Sequence, residues 1–133
     1  MNEGRISVRS DLTEGGCNAC GTVVSETYCL HYQGRELLLS DLTVSGLVMG
    51  IVQQNGWQQE FKAEMMADYF VFTKEGKEVK LLEDYNVVTY SRASQEITSM
   101  NEFSDQEELF KQVNLVLTKL FAVAPLEFAI ETH

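Results

Sequence analysis

The chain has 133 residues, 44% of them apolar and 23% charged, with a single proline and nine glycines. That balance describes one ordinary globular domain, 1–133, able to bury roughly two thirds of the surface its unfolded form exposes, and excludes a disordered or collagen-like chain. Twenty acidic side chains against ten basic ones leave a formal charge of -10, which argues against nucleic acid or an anionic membrane as a partner, because both require clustered lysine and arginine.

In chain order, the spacing reads mainly as strands. Arg5 to Arg9 is a short candidate, followed by a loop from Ser10 to Gly21. Thr22 to Tyr32 alternates, with Val24, Tyr28, Leu30 and Tyr32 on one face and Ser25, Thr27, Cys29 and His31 on the other. Gln33-Gly34 turns the chain into a strand from Arg35 to Leu39. In Leu47 to Met65 two readings compete. Val44, Leu47, Val48, Ile51 and Val52 have helical spacing, yet Gly46 and Gly50 would each cost about 1 kcal/mol in a helix. Asn55-Gly56 is a preferred pair for a two-residue type I′ turn. The glycines and the turn pair together predict a hairpin in which Phe61 covers Gly50.

Tyr69 to Thr73 and Val79 to Leu82 flank the turn Lys74-Glu75-Gly76-Lys77, and Asn86 to Ser91 adds another strand of a meander. Ser94 to Phe103 is polar. Ser104-x-x-Glu107 then has the form of a capping box, and Leu109, Phe110, Val113, Val116, Leu117, Leu120 and Phe121 form one apolar stripe. The expectation is a helix from about Asp105 to Ala122, ended by Pro125 and followed by a short strand through Leu126, Phe128 and Ile130. The string Ser10-Asp11-Leu12-Thr13-x-x-Gly16 recurs as Ser40-Asp41-Leu42-Thr43-x-x-Gly46. Side-chain capping of a turn accounts for both copies.

The fold class is therefore α+β: a twisted antiparallel sheet of about six to eight strands, meander or barrel-like, with one long C-terminal helix packed on it and a short final strand. Met1 to Ser10 has no apolar leader, and no run of about 18 apolar residues occurs anywhere. Three cysteines, an odd number, fit a reducing compartment. Both features point to a cytoplasmic protein.

Chemistry-bearing patterns are sparse. Cys17-x-x-Cys20 is half of a zinc knuckle, and Cys29-x-His31 could supply two further ligands. An extended chain from Cys20 to Cys29 spans roughly 30 Å, too far for one tetrahedral site, so structural cysteines are the simpler reading. Nucleophile elbows, metalloprotease helices and phosphate loops are missing, and the histidines are His31 and His133. No catalytic residue, cofactor or metal ligand is assigned, and a non-enzymatic protein is expected.

Arg5-x-x-x-Arg9, then a strand, a turn and a strand ending in Asp41-x-Thr43-x-x-Gly46, resembles the signature of the PilZ domain family, R-x-x-x-R followed by D/N-x-S-x-x-G, with Thr43 where the family has Ser. The resemblance covers about the first third of the chain. It implies a small antiparallel barrel that binds cyclic di-GMP. Arg5 and Arg9 would grip phosphate and guanine, while Asp41, Thr43 and Gly46 shape the opposing side.

The other signal is charge. Glu96, Glu102, Asp105, Glu107 and Glu108 follow one another with no lysine or arginine between Arg92 and Lys111. Asp105, Glu107 and Glu108 complement the positive end of the helix, whereas Glu96 and Glu102 precede its cap. A one-signed field of this kind speeds encounter with a basic partner. The leading expectation is a small binding protein that uses Glu96, Glu102, Asp105 and Glu108 to cover a basic protein, as an immunity protein, antitoxin or inhibitor covers a nuclease or other nucleic-acid-binding protein. Alternatives are a PilZ-like cyclic di-GMP module and a small metal-binding protein or enzyme. A homodimer is left open.

Overall fold

A computed structural model describes residues 2–14, 22–39, 42–63 and 68–132. In chain order the elements are β1 (Asn2–Glu14), β2 (Thr22–Tyr32), β3 (Arg35–Leu39), α1 (Val44–Gln54), β4 (Gln58–Ala63), β5 (Asp68–Lys74), β6 (Lys77–Asp84), β7 (Val87–Arg92), β8 (Gln95–Met100), α2 (Gln106–Leu120) and β9 (Leu126–Thr132). The architecture is α+β, but among the described residues the strands form two sheets and not one sheet of six to eight, and there are two helices where one was expected. The contacts divide the chain into two compact units, residues 1–42 with 126–133, and residues 43–125.

The first unit is a four-stranded sheet in the order β3-β2-β1-β9. β2 and β3 occupy the expected residues and meet through Gln33 (φ 52) and Gly34 (φ 74), the two left-handed positions of a type I′ turn. Ile6 lies opposite Leu30, which lies opposite Leu37, so one apolar row crosses three strands. Ile6, Leu30 and Tyr32 are buried. β1 is longer than the sequence suggests. Ser10 to Glu14, expected as loop, continues the ladder to Thr22, since backbone hydrogen bonding does not require apolar side chains. β9 runs parallel to β1, with Gly4 opposite Phe128. A Cβ on Gly4 would lie 3.0 Å from the Phe128 ring, so the aromatic cover expected over Gly50 occurs here.

In the second unit the hairpin reading of Leu47 to Met65 is corrected: the first part is helix α1. Val44, Leu47, Val48, Ile51 and Val52 are all buried, and at about 1.5–3 kcal/mol each for full burial they outweigh the cost of Gly46 and Gly50. The helix start is well satisfied. Thr43 Oγ1 accepts from the Gly46 N–H at 3.0 Å, Asn101 Oδ1 from the Ser45 N–H at 2.8 Å, and the Asn101 carbonyl from the Val44 N–H at 2.9 Å. Asn55-Gly56 ends the helix and turns no hairpin. Gly56 has φ 88, its N–H donates to the Gln53 carbonyl, and the Trp57 N–H donates to the Val52 carbonyl. That is the Schellman pattern, with Trp57 and Val52 as its buried apolar pair. Thr43, the second copy of the repeated string, caps a helix, whereas Ser10 to Thr13 are strand.

β4 to β8 form a meander in that order. Phe61 lies opposite Phe70, ring centroids 5.2 Å apart, and not opposite Gly50. β8 falls within the stretch read as a polar connection. α2 begins one residue later than expected, and its cap is Asp105, whose Oδ1 accepts from the Glu107 N–H at 2.9 Å; the capping box from Ser104 does not form. Its stripe of Leu109, Val113, Val116, Leu117 and Leu120 is buried. Phe121 stands edge-on to both Trp57 (5.0 Å) and Phe72 (5.6 Å), joining both helix ends to β5.

Gly56→Ala places a Cβ at a left-handed residue and should lower stability by about 1–2 kcal/mol. A urea midpoint equal to that of the parent would contradict the helix-ending role assigned to Gly56.

Candidate docking face

Residue parity divides the five-stranded sheet into two faces. Val88, Tyr90 and Ser99 point to one side and are buried. Arg92 shares that parity and its Nη1 donates to the Leu120 carbonyl at 2.9 Å, so α2 covers this face. Val87, Thr89 and Ser91 point to the other side with their partners Met100, Thr98 and Glu96. The hydroxyls of Thr89 and Thr98, 3.4 Å apart, fit that shared orientation.

Three exposed apolar residues lie at one end of β6, β7 and β8. Tyr85, in the turn after β6, is 100% exposed; Val87 opens β7; Met100, 52% exposed, lies directly opposite Val87 at the end of β8. Two asparagines hold this end in shape. The Asn101 N–H donates to the Asn86 carbonyl (2.9 Å) and the Glu102 N–H to Asn86 Oδ1 (2.8 Å). Asn101 in turn receives the first two N–H groups of α1. The turn carrying Tyr85, the exit of β8 and the start of α1 are thereby tied together.

The carboxylates nearest in sequence are Glu83, Asp84 and Glu102, all exposed, and segments 83–87 and 100–108 contain no lysine or arginine. Of the residues chosen from sequence, Glu102 belongs to this end. Glu96 leaves the sheet from the face opposite α2, four residues up β8 from Met100, or roughly 13 Å along the strand. Asp105 caps α2, and Glu108 in its first turn lies 3.8 Å from Lys111. An exposed pair of this kind contributes little. All four carboxylates are exposed, but Glu96 does not share a face with the helix that bears Glu108. Sequence reasoning missed Tyr85, Val87 and Met100 as a group, because their adjacency depends on the pairing of β8.

The remaining candidates lie elsewhere. Arg5 and Arg9 are within β1 of the first unit. Thr43 and Gly46 open α1 instead of closing a strand, and Asp41 lies outside the described residues. Cys17 and Cys20 also lie outside them. Cys29 and His31 share one face of β2, and among the described residues no group of three potential ligands could hold a metal ion.

A serine–histidine–carboxylate row, also missed, crosses the first sheet. Ser7 Oγ is 3.1 Å from His31 Nε2, and His31 Nδ1 is 3.6 Å from Glu36. The order suits nucleophilic catalysis, but β1 and β2 are interior strands whose N–H groups are committed to the ladders. The three side chains form a polar row across β1, β2 and β3. Trp57 is a core residue, 4% exposed.

Tyr90 is fully buried, and its hydroxyl has no hydrogen-bond partner among the described residues. Burial, and then the nearby Glu83 charge, push this phenol well above its ordinary value of 10.0.

The chain belongs to the family described as Domain of unknown function (DUF4809), which matches residues 1–130. No curated protein and no solved structure matches it.

Asn101→Ala strands the buried Ser45 N–H and should cost about 1–3 kcal/mol in urea unfolding; an unchanged midpoint would argue that the asparagine tie is dispensable. Tyr90→Phe removes an unsatisfied hydroxyl and should leave stability equal or higher at neutral pH. Because the folded-state phenol is raised, its contribution is intact below pH 10 and is lost as pH rises further. The variant should therefore unfold less readily than the parent in alkali, and a Tyr90→Phe chain that is markedly less stable at pH 7 would contradict this.

Proposed function

We propose that this protein acts by binding: the end of the five-stranded sheet around Tyr85, Val87 and Met100 docks on a basic protein and neutralises it, in the manner of an immunity protein, antitoxin or inhibitor. The single observation that carries this reading is a group of exposed apolar residues at one sheet end beside Asp84 and Glu102, with no lysine or arginine in segments 83–87 and 100–108. Interfaces draw most of their energy from a few buried anchors, among which tyrosine is enriched, and surrounding polar groups exclude water and fix specificity. Tyr85, wholly exposed at a turn whose neighbours are pinned by Asn86, has the form of such an anchor. The acidic surroundings supply steering toward positive charge.

A partner that itself binds nucleic acid fits best, since its own site must be basic. Asp105 and Glu108 extend the negative field along the start of α2. Glu96 adds to it from the sheet face that carries Val87 and Met100, roughly 13 Å along β8. The reading concerns the second unit and does not draw on the Ser7–His31–Glu36 row.

The test separates anchor from field. Basic proteins of the native host are captured on the immobilised protein at low salt, and the retained partner is purified and titrated. Tyr85→Ala should weaken binding about tenfold or more and act on dissociation. Glu102→Lys with Glu108→Lys and Asp105→Asn, which keeps a cap, should slow association and flatten its salt dependence. Retention of no basic protein, or a partner indifferent to both sets of changes, would refute the proposal.

A further inference from the structure

Resting on the docking reading above, we infer that the outer edge of β8 accepts an extended lysine- or arginine-bearing segment of the partner as an added strand. Among the described residues β8 is the last strand in its sheet, with β7 on one side and no strand on the other. Its pairing with β7 runs through six successive residue pairs without a bulge, so its edge is regular over roughly 20 Å.

Which backbone groups face outward follows from the hairpin. The two-residue turn Ala93-Ser94 closes on Arg92 opposite Gln95, and a two-residue loop closes on a hydrogen-bonded pair. Alternation then makes Tyr90 with Ile97 and Val88 with Ser99 hydrogen-bonded pairs, and directs the N–H groups of Glu96, Thr98 and Met100 away from β7. The Met100 carbonyl receives the Ser99 hydroxyl at 2.8 Å, which leaves those three N–H groups and the carbonyls of Glu96 and Thr98 as the row offered to an incoming strand.

Natural sheets protect such edges with lysine, proline, bulges or very short strands. β8 contains no lysine, arginine or proline. β4, the opposite edge, carries Lys62, whose Nζ is 2.9 Å from Glu60. The three residues that offer their N–H groups also project their side chains on one face, all exposed, so an added strand would set a cation opposite Glu96 and an apolar residue near Met100 and Val87. Charge selects the occupant. A second copy of this chain would bring another formal charge of -10 to the same edge, whereas a basic segment is attracted to it. Main-chain hydrogen bonds supply affinity in this mode and alternate side chains supply specificity.

The probe is a capped seven-residue peptide alternating lysine with valine, titrated against the whole protein. Binding is expected to slow amide hydrogen exchange at Glu96, Thr98 and Met100. Thr98→Pro removes an outward N–H without breaking a bond to β7, as edge strands tolerate, and should weaken the peptide about tenfold. N-methylation of alternate peptide amides should do the same, and decides the matter if the proline variant fails to fold. Salt-sensitive binding that ignores both changes overturns strand addition while the docking reading stands. Self-association through β8 overturns it in favour of a second copy. Failure to bind the peptide also overturns it, and if the native basic partner fails to bind as well, both readings fall together.

Discussion

The second unit is organised by one hydrogen-bonded knot, in which Asn101 accepts the first two N–H groups of α1 with its side chain and carbonyl and gives its own N–H to Asn86. Each bond is worth only about 1 kcal/mol net, but leaving a buried donor without a partner costs more, so the groups are committed to one arrangement. Asn86 then holds the Glu102 N–H through its side chain. The start of a buried helix, the end of an edge strand and the turn bearing Tyr85 cannot shift independently. Structure and candidate function meet at this point, because the residues that fix the helix also fix the exposed cluster.

The opposite end is held by apolar packing. Phe121 closes α2 and stands edge-on to Trp57 and Phe72, a contact made possible where the Schellman turn at Gly56 brings Trp57 into the core. One end of the unit is thus specified by polar satisfaction and the other by aromatic shape. The polar end is the one that faces solvent with Tyr85, Val87 and Met100, and the backbone there is tied by the Asn86 and Asn101 hydrogen bonds.

Local signals in the sequence suffice where one force dominates. β2, β3 and α2 have strong apolar periodicity, and their residues emerge as expected. The misreadings arise where two local rules conflict. Asn55-Gly56 suits a hairpin turn and a helix terminator equally, because both need a left-handed residue, and the decision belongs to the five apolar side chains preceding it, which only burial could rank above two glycines. Ser104 and Asp105 are both good caps, and the register of α2 chose the second. β8 left no periodic trace: its sequence is Gln-Glu-Ile-Thr-Ser-Met, and its identity as a strand comes from pairing with β7. The acidic block was plain from composition, but its division between sheet face, loop and helix start required the register, and the apolar cluster beside it depended on a strand that had not been recognised.

The central claim is that one end of the five-stranded sheet, and not the negative charge of the protein at large, receives a basic partner. The most direct measurement is an amide chemical-shift titration of the whole protein with a short oligolysine. Localised docking predicts shifts concentrated at Tyr85, Val87, Met100 and Glu102, with smaller changes at the start of α2. Shifts of similar size at every exposed carboxylate, including Glu60, Glu75 and Glu78 at the far side of the sheet, would contradict it.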